Sequence, residues 1–284
     1  MIQQTLYQSQ WIVSAEQAKQ IIDEDATILD SRNVLIWLTG HIPEAIHFSW
    51  KQFTQPSFQK GKLLENPKIL EGKLRKLGIF NNKPVIVIGN PTFPCYFGED
   101  GRIVWMLRTL GHQFTAFVDG GEAALTKIGL PITLDITKPP LGDFVIKTNN
   151  LWTMEKEEIQ NNILTQNLSN LKIIDTRSPQ EFAGATPYGE KRGGHIPNAV
   201  NFHFKNLLDE QGYLLPSEEI IAKLKNLEIT TDTPIVTYCT GGVRSGFFVA
   251  VLTKLGFTNV KNYAGSMWEW SAAVAYQYPL QKIL

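Results

Sequence analysis

Apolar residues along this chain follow two alternating patterns. Short continuous runs, PVIVI from Pro84 and PIVTY from Pro234, have the length and β-branched character of strands buried on both faces. After them come stretches with apolar residues three and four apart, GRIVWMLRTLG from Gly101 and GFFVAVLTKLG from Gly246, which predict helices. Ser14 and Gln17 have the spacing of a capping box that opens a helix over AEQAKQII. The recurring order of helix, short strand, polar loop, strand and helix predicts an α/β fold. Each unit has a mostly parallel sheet with helices on both faces. In such sheets the reactive crevice lies at the carboxyl ends of the strands.

The same pattern occurs twice. Ile28-Leu29-Asp30-Ser31-Arg32 returns as Ile173-Ile174-Asp175-Thr176-Arg177, and GHIPEA from Gly40 returns as GHIPNA from Gly194. The two strand runs and two helix runs above match in the same order, followed by FVDGGEAA from Phe117 and NYAGSMWE from Asn262. Matched segments in one order mark an internal duplication. It divides the chain into a domain over 1–130, a linker over 131–144 containing Pro139-Pro140, and a domain over 145–284.

Composition narrows the function without naming it. At 284 residues, 43% hydrophobic and 11% aromatic, the chain can build packed cores. The formal net charge is +0, so no global field favours nucleic acid or a membrane, and any anion site must be local. The first residues, MIQQTLYQSQW, lack a signal-peptide pattern, and the apolar run GFFVAVL is too short to span a bilayer. Two cysteines, Cys95 and Cys239, resemble neither a disulfide framework nor a zinc site, so no metal or cofactor is expected. A reducing, cytoplasmic setting is the expectation.

The candidate chemistry sits where the PIVTY strand ends. The next residues are Cys239-Thr240-Gly241-Gly242-Val243-Arg244-Ser245, followed directly by the helix. Consecutive glycines at a strand-to-helix junction let several backbone N–H groups converge on one centre, and the helix N-terminus adds partial positive charge. A cysteine at the base of that nest is expected to be a thiolate near neutral pH. Arg244 adds a full positive charge for an anionic substrate. Cysteine phosphatases use a loop one residue longer before their arginine. The tighter ring here suits a single terminal sulfur better than a tetrahedral oxyanion, leaving phosphatase or arsenate reductase as the weaker alternative.

With these residues in place, the chain resembles the tandem-domain rhodanese family, the thiosulfate and 3-mercaptopyruvate sulfurtransferases, over nearly its whole length. The resemblance rests on Asp175-Thr176-Arg177, Glu181-Phe182-x-Gly184, Gly194-His195-Ile196-Pro197-x-Ala199, the Cys239 loop, and Gly265-Ser266-x-x-Glu269-Trp270. It implies two rhodanese-like domains, the second catalytic and the first a degenerate copy. It also implies a ping-pong cycle without cofactor: sulfur passes from a small anionic donor to Cys239 and then to cyanide, a thiol or a protein acceptor. In tandem thiosulfate sulfurtransferases the position of Glu181 often holds a substrate-binding arginine, so anion binding is expected to fall to Arg244 and Arg192, together with the loop residues Thr240, Gly241, Gly242, Val243 and Ser245. The loop lacks the Gly-Ser-Gly-Val-Thr pattern of mercaptopyruvate enzymes, which favours thiosulfate. Mercaptopyruvate transfer and a noncatalytic sulfur carrier remain as alternatives.

Other residues read as structural. Asp175 with Arg177, repeated as Asp30 with Arg32, fits an internal salt bridge, and His41 and His195 fit loop braces. Trp268 and Trp270 fit packing at the cleft wall or domain interface. In the first copy Gly89 aligns with Cys239. Cys95 lies near Glu99 and Asp100, which would repel an anionic donor and make this thiol a bystander. The cleft is expected between the domains, built mainly by the second.

Overall fold

The computed structural model describes residues 10–165 and 171–283. The first nine residues, where the leader reading was made, lie outside that range. The first domain contains β1 (Ile12–Val13), α1 (Ala15–Asp23), β2 (Thr27–Asp30), α2 (Val34–Leu38), β3 (Ile46–His47) and α3 (Pro67–Lys76). It continues with β4 (Val85–Ile88), α4 (Glu99–Thr109), β5 (Thr115–Val118) and α5 (Gly121–Lys127). The second contains α6 (Lys156–Leu164), β6 (Lys172–Asp175), α7 (Pro179–Ala183), β7 (Ala199–Asn201) and α8 (Ser217–Lys225). Then follow β8 (Ile235–Tyr238), α9 (Val243–Lys254), β9 (Val260–Asn262) and α10 (Ser266–Trp270).

Both sheets are parallel throughout, in the orders β1-β5-β4-β2-β3 and β7-β6-β8-β9. The fold is thus two tandem α/β domains, with each central strand of one copy matched in the other. The Ser14 capping box opens α1, with the Gln17 amide donating to the Ser14 hydroxyl at 3.2 Å and the Ser14 amide donating to Gln17 Oε1 at 3.0 Å.

Strand alternation explains the layering. In β2 and β4, Ile28, Ile86 and Ile88 face one side and pack on Ala18 and Ile21 of α1 and Leu125 of α5. Leu29, Val85 and Val87 face the other side and join α3, α4 and the corresponding layer of the second domain in one continuous apolar cluster. The two domains are therefore fused through α4 and α9. These helices approach closely because Gly101 and Gly246, matched in the repeat, lie at the crossing. A Cβ on Gly101 would come within 2.6 Å of Phe247 Cα, and one on Gly246 within 3.2 Å of Arg102 Cα.

Two segments change the expected boundaries. The stretch 142–149 has no helix or strand and stays hydrogen-bonded to the first domain. The Lys147 amide donates to Leu110 O at 2.9 Å and the Asn149 amide to Thr109 O at 3.0 Å, while Phe144 is buried. Contact with the second sheet begins at the Thr153–Asn262 bridge, so the chain crosses over later than residue 145. The second shift concerns the cysteine loop: α9 starts at Val243, so Arg244 and Ser245 belong to its first turn rather than to the loop. Among the described residues, no helix is long and apolar enough to cross a membrane.

Candidate active site

Cys239 follows the last residue of β8 and is 1% exposed. The chain turns through Gly242, whose φ of 77° is open to glycine at little cost, and enters α9. This turn points the Gly242 N–H at Cys239 Sγ, 3.1 Å away. The Ser245 hydroxyl lies 3.6 Å from the sulfur and is oriented by Asn262 Oδ1 at 2.7 Å. The first turn of α10 grips the loop from behind: the amides of Met267 and Trp268 donate to Cys239 O and Thr240 O at 3.1 and 2.9 Å. The Cys239 amide donates to Ser266 Oγ. Burial alone would push the Cys239 thiol up. The positive charge of Arg244, with hydrogen bonds from Ser245 and Gly241, outweighs it and holds the thiol below its ordinary value.

Arg244 is not a free cation. Its Nη1 and Nη2 donate to the two oxygens of Glu181 at 2.7 and 2.8 Å, with both side chains nearly buried. The Thr240 hydroxyl oxygen accepts from Nη2 at 2.8 Å and lies within 3.1 Å of both Glu181 and Glu190. Burial raises the Glu181 carboxyl, but the Arg244 guanidinium dominates and brings it down to about 2. Glu181 is therefore the counter-ion of the cleft arginine. It both orients Arg244 and takes part of its charge.

Arg192 does not reach the site. Its guanidinium donates to the carbonyls of Trp270, Ser271, Ala273 and Tyr278 at 2.9–3.2 Å, tying the C-terminal segment to the loop between α7 and β7. The expected substrate contact is replaced by a brace, because that segment folds back over the arginine and offers it four acceptors. Arg192→Ala is expected to lower stability by at least about 1.5–3 kcal/mol, the value of one charged hydrogen bond, in denaturant unfolding, with the KM for the sulfur donor nearly unchanged.

The sulfur opens toward a cavity of about 570 Å³ between the domains. Its walls correct the expectation that the second domain builds most of the cleft. Thr240, Gly241, Arg244, Tyr188 and Trp268 come from the second domain, but most of the lining comes from the first, including Trp50, Lys51, Tyr96 and Phe97. Phe97 and Tyr188 meet edge to face at 5.7 Å and flank the Arg244 guanidinium. The Trp268 ring lies on Gly241, so close that a Cβ there would be 2.1 Å from it. Trp270 is core, 0% exposed. Cys95 is exposed and lines the same cavity, so the two thiols of the chain share one cleft. Lys51 and Phe97 carried no sequence signal, because nothing near them matches a motif.

The matching position in the first domain is closed. Asp100, in the first turn of α4, sits against Gly89, and a Cβ built there would lie 2.1 Å from Asp100 Oδ2. Burial raises the Asp100 carboxyl to about 7 against hydrogen bonds from the Tyr96 hydroxyl and the Gly101 amide. A carboxylate thus fills the space that the sulfur occupies in the second domain. Asp175 and Arg177 form the buried pair expected of them, at 2.6 Å, and Asp30 with Arg32 repeats it at 2.7 Å. His195 and His41 bond to the carbonyls of Phe182 and Trp37, both at 2.9 Å.

Two like parallel α/β domains closing on one thiol-bearing cleft define the class, tandem-domain sulfurtransferases. The chain belongs to the rhodanese-like domain family, whose pattern matches residues 14–127 and again 156–273. It is 34% identical to a thiosulfate sulfurtransferase of Azotobacter vinelandii over 173 residues, 61% of this chain and 62% of that protein. It is 28% identical to the 3-mercaptopyruvate sulfurtransferase of Escherichia coli K12, covering 92% of this chain and 95% of that one. The crystal structure of SseA, a 3-mercaptopyruvate sulfotransferase from Escherichia coli, superposes with a TM-score of 0.75 at 27% identity, over 90% of this chain and 98% of that one.

Proposed function

We propose that the protein is a thiosulfate sulfurtransferase that carries sulfane sulfur on Cys239, in the second domain, while the first domain supplies most of the cleft wall. The observation that carries this reading is the environment of Cys239: a buried thiol held below its ordinary value, with the Gly242 N–H on its sulfur. The Cys239 thiolate attacks the outer sulfur of thiosulfate. A sulfur–sulfur bond forms, the original one breaks, and its electron pair leaves with sulfite. The persulfide that remains is again an anion facing the same amide and the same arginine. An acceptor nucleophile, cyanide or a thiol, then attacks the outer sulfur and the Cys239 thiolate departs. Electrons balance within each step, so no external oxidant or cofactor is required.

Of the three cations among the described residues that line the cavity, Arg32 is held by Asp30, and Arg244 and Lys51 are the ones assigned to meet a dianion. The second reading, 3-mercaptopyruvate as donor, is favoured by the extent of the likeness to the Escherichia coli enzyme, 92% of this chain. The Cys239 loop speaks against it, since Cys239-Thr240-Gly241-Gly242-Val243 lacks the Gly-Ser-Gly-Val-Thr pattern of mercaptopyruvate enzymes, whereas Glu181 opposes either anionic donor alike. Steady-state assays with the two donors in parallel test the choice. Thiosulfate is expected to give the higher kcat/KM by about tenfold or more, the effect of one charged contact, and an aryl phosphate is expected to give no turnover. A faster rate with mercaptopyruvate would reverse the donor assignment, and phosphate hydrolysis at a comparable rate would overturn sulfur transfer itself.

A further inference from the structure

Behind the Cys239 loop lies a cation that comes from the other domain. Arg102, in α4, is 0% exposed. Its Nη2 donates to Gly61 O at 2.6 Å and its Nη1 to Gly242 O at 3.2 Å, within the turn that aims its N–H at Cys239. Gly242 O also accepts from Asn262 Nδ2 at 3.1 Å and from the Gly246 amide. The guanidinium stacks over the Trp105 ring at 4.3 Å, and its Nε is buried without an acceptor. Among the described residues Arg102 has no carboxylate within ion-pairing distance, unlike Arg177, Arg32 and Arg244, each of which has one.

A buried guanidinium without a counter-ion is costly, and a fold retains one where an anion nearby compensates it. The anion here is Cys239. Burial lowers Arg102 to about 9, and the negative charge of Cys239 is what acts in the opposite direction. The other groups around the loop are already committed. Arg244, whose charge lowers the thiol, is bonded to Glu181. Glu190 holds Thr240, and Glu269 is bonded to Tyr263 and Lys156.

We propose that Arg102 is a positioning residue through which the domain lacking the cysteine completes the site: it fixes the back of the Cys239 loop and supplies an unshared positive charge that keeps the sulfur anionic. This rests on Cys239 being the working thiol, but it concerns ionisation rather than donor identity. The bond from Arg102 to Gly242 O, which crosses from the first domain to the second, ties that ionisation to the docking of the two domains.

The test reads the sulfur directly. In the full-length protein, the rate of Cys239 alkylation by iodoacetamide and the thiolate ultraviolet absorbance are followed against pH for the wild type, Arg102→Lys and Arg102→Gln. The Gln variant keeps a donor for one carbonyl and loses the charge. Its midpoint is expected to rise by about half a pH unit or more, while the Lys variant stays near the wild type. A Gln midpoint equal to that of the wild type overturns the proposal, and so does a Lys midpoint displaced as far as Gln. Should the Gln variant fail to fold, arginine-labelled wild-type protein decides by NMR. The Arg102 side-chain N–H signal is expected to shift with the Cys239 midpoint and to lose that transition in Cys239→Ser; a pH-invariant signal overturns the proposal. None of these measurements involves thiosulfate, so an incorrect donor leaves the result unaffected.

Discussion

Incubated with thiosulfate and then freed of it, the protein is expected to gain the mass of one sulfur atom, and cyanide to remove that mass again. Peptide mapping is expected to place the sulfur on Cys239, and Cys239→Ser to lose both the adduct and turnover. A hydroxyl at neutral pH is almost wholly protonated, and the single Gly242 N–H cannot ionise it. Loss of the nucleophile leaves only orientation and binding, so turnover is expected to fall by about a thousandfold or more. Cys95→Ser is expected to retain both the adduct and turnover, although Cys95 faces the same cleft. The contrast is physical: Cys239 is enclosed by an amide, a hydroxyl and a cation, whereas Cys95 is exposed on a loop and accepts no such set of bonds. Intact-mass spectrometry of the three proteins decides the matter. Sulfur found mainly on Cys95 would move the chemistry to the first domain.

Arg244→Ala carries the second large effect, and it has two separable parts. The charge lost is the one that most depresses the Cys239 thiol, so the acid limb of the pH–rate profile moves to higher pH. The sign follows from the cause: without the cation, burial raises the thiol, and a higher pH is needed to form the thiolate. One charge-assisted contact to thiosulfate disappears as well, so kcat/KM is expected to fall by about a hundredfold or more. Removing the guanidinium also strands Glu181, a nearly buried carboxylate that Arg244 holds at about 2. That costs roughly 3–5 kcal/mol of stability. Arg244→Ala combined with Glu181→Gln separates the parts: stability recovers because no unpaired charge remains buried, while kcat/KM stays low. Recovery of both would mean that Arg244 serves the fold alone. Arg244→Lys recovers only part of the activity, since an ammonium cannot grip both Glu181 oxygens and Thr240 as the planar fork does.

Much of this molecule was legible before any coordinates. The duplication, the buried parallel strands PVIVI and PIVTY, the capping box at Ser14 and the placement of Cys239 at a strand end all follow from patterns set by neighbours a few residues apart. Strand and helix periodicity and turn glycines are consequences of local backbone geometry, and contiguous sequence carries them. The Asp175–Arg177 pair was equally readable, because two residues on one strand end meet without help from elsewhere. Tertiary structure decided the rest. Glu181 and Arg244 are 63 positions apart, and no local signal says that one neutralises the other. Arg192 looked free until the 270–278 segment folded over it and offered four carbonyls. The cleft owes most of its wall to the first domain, and Arg102 reaches the Cys239 loop, because the glycines at the α4–α9 crossing let the two helices pack at short range. Partners of that kind are chosen by where packed elements come to rest, and burial then fixes what each charge is worth.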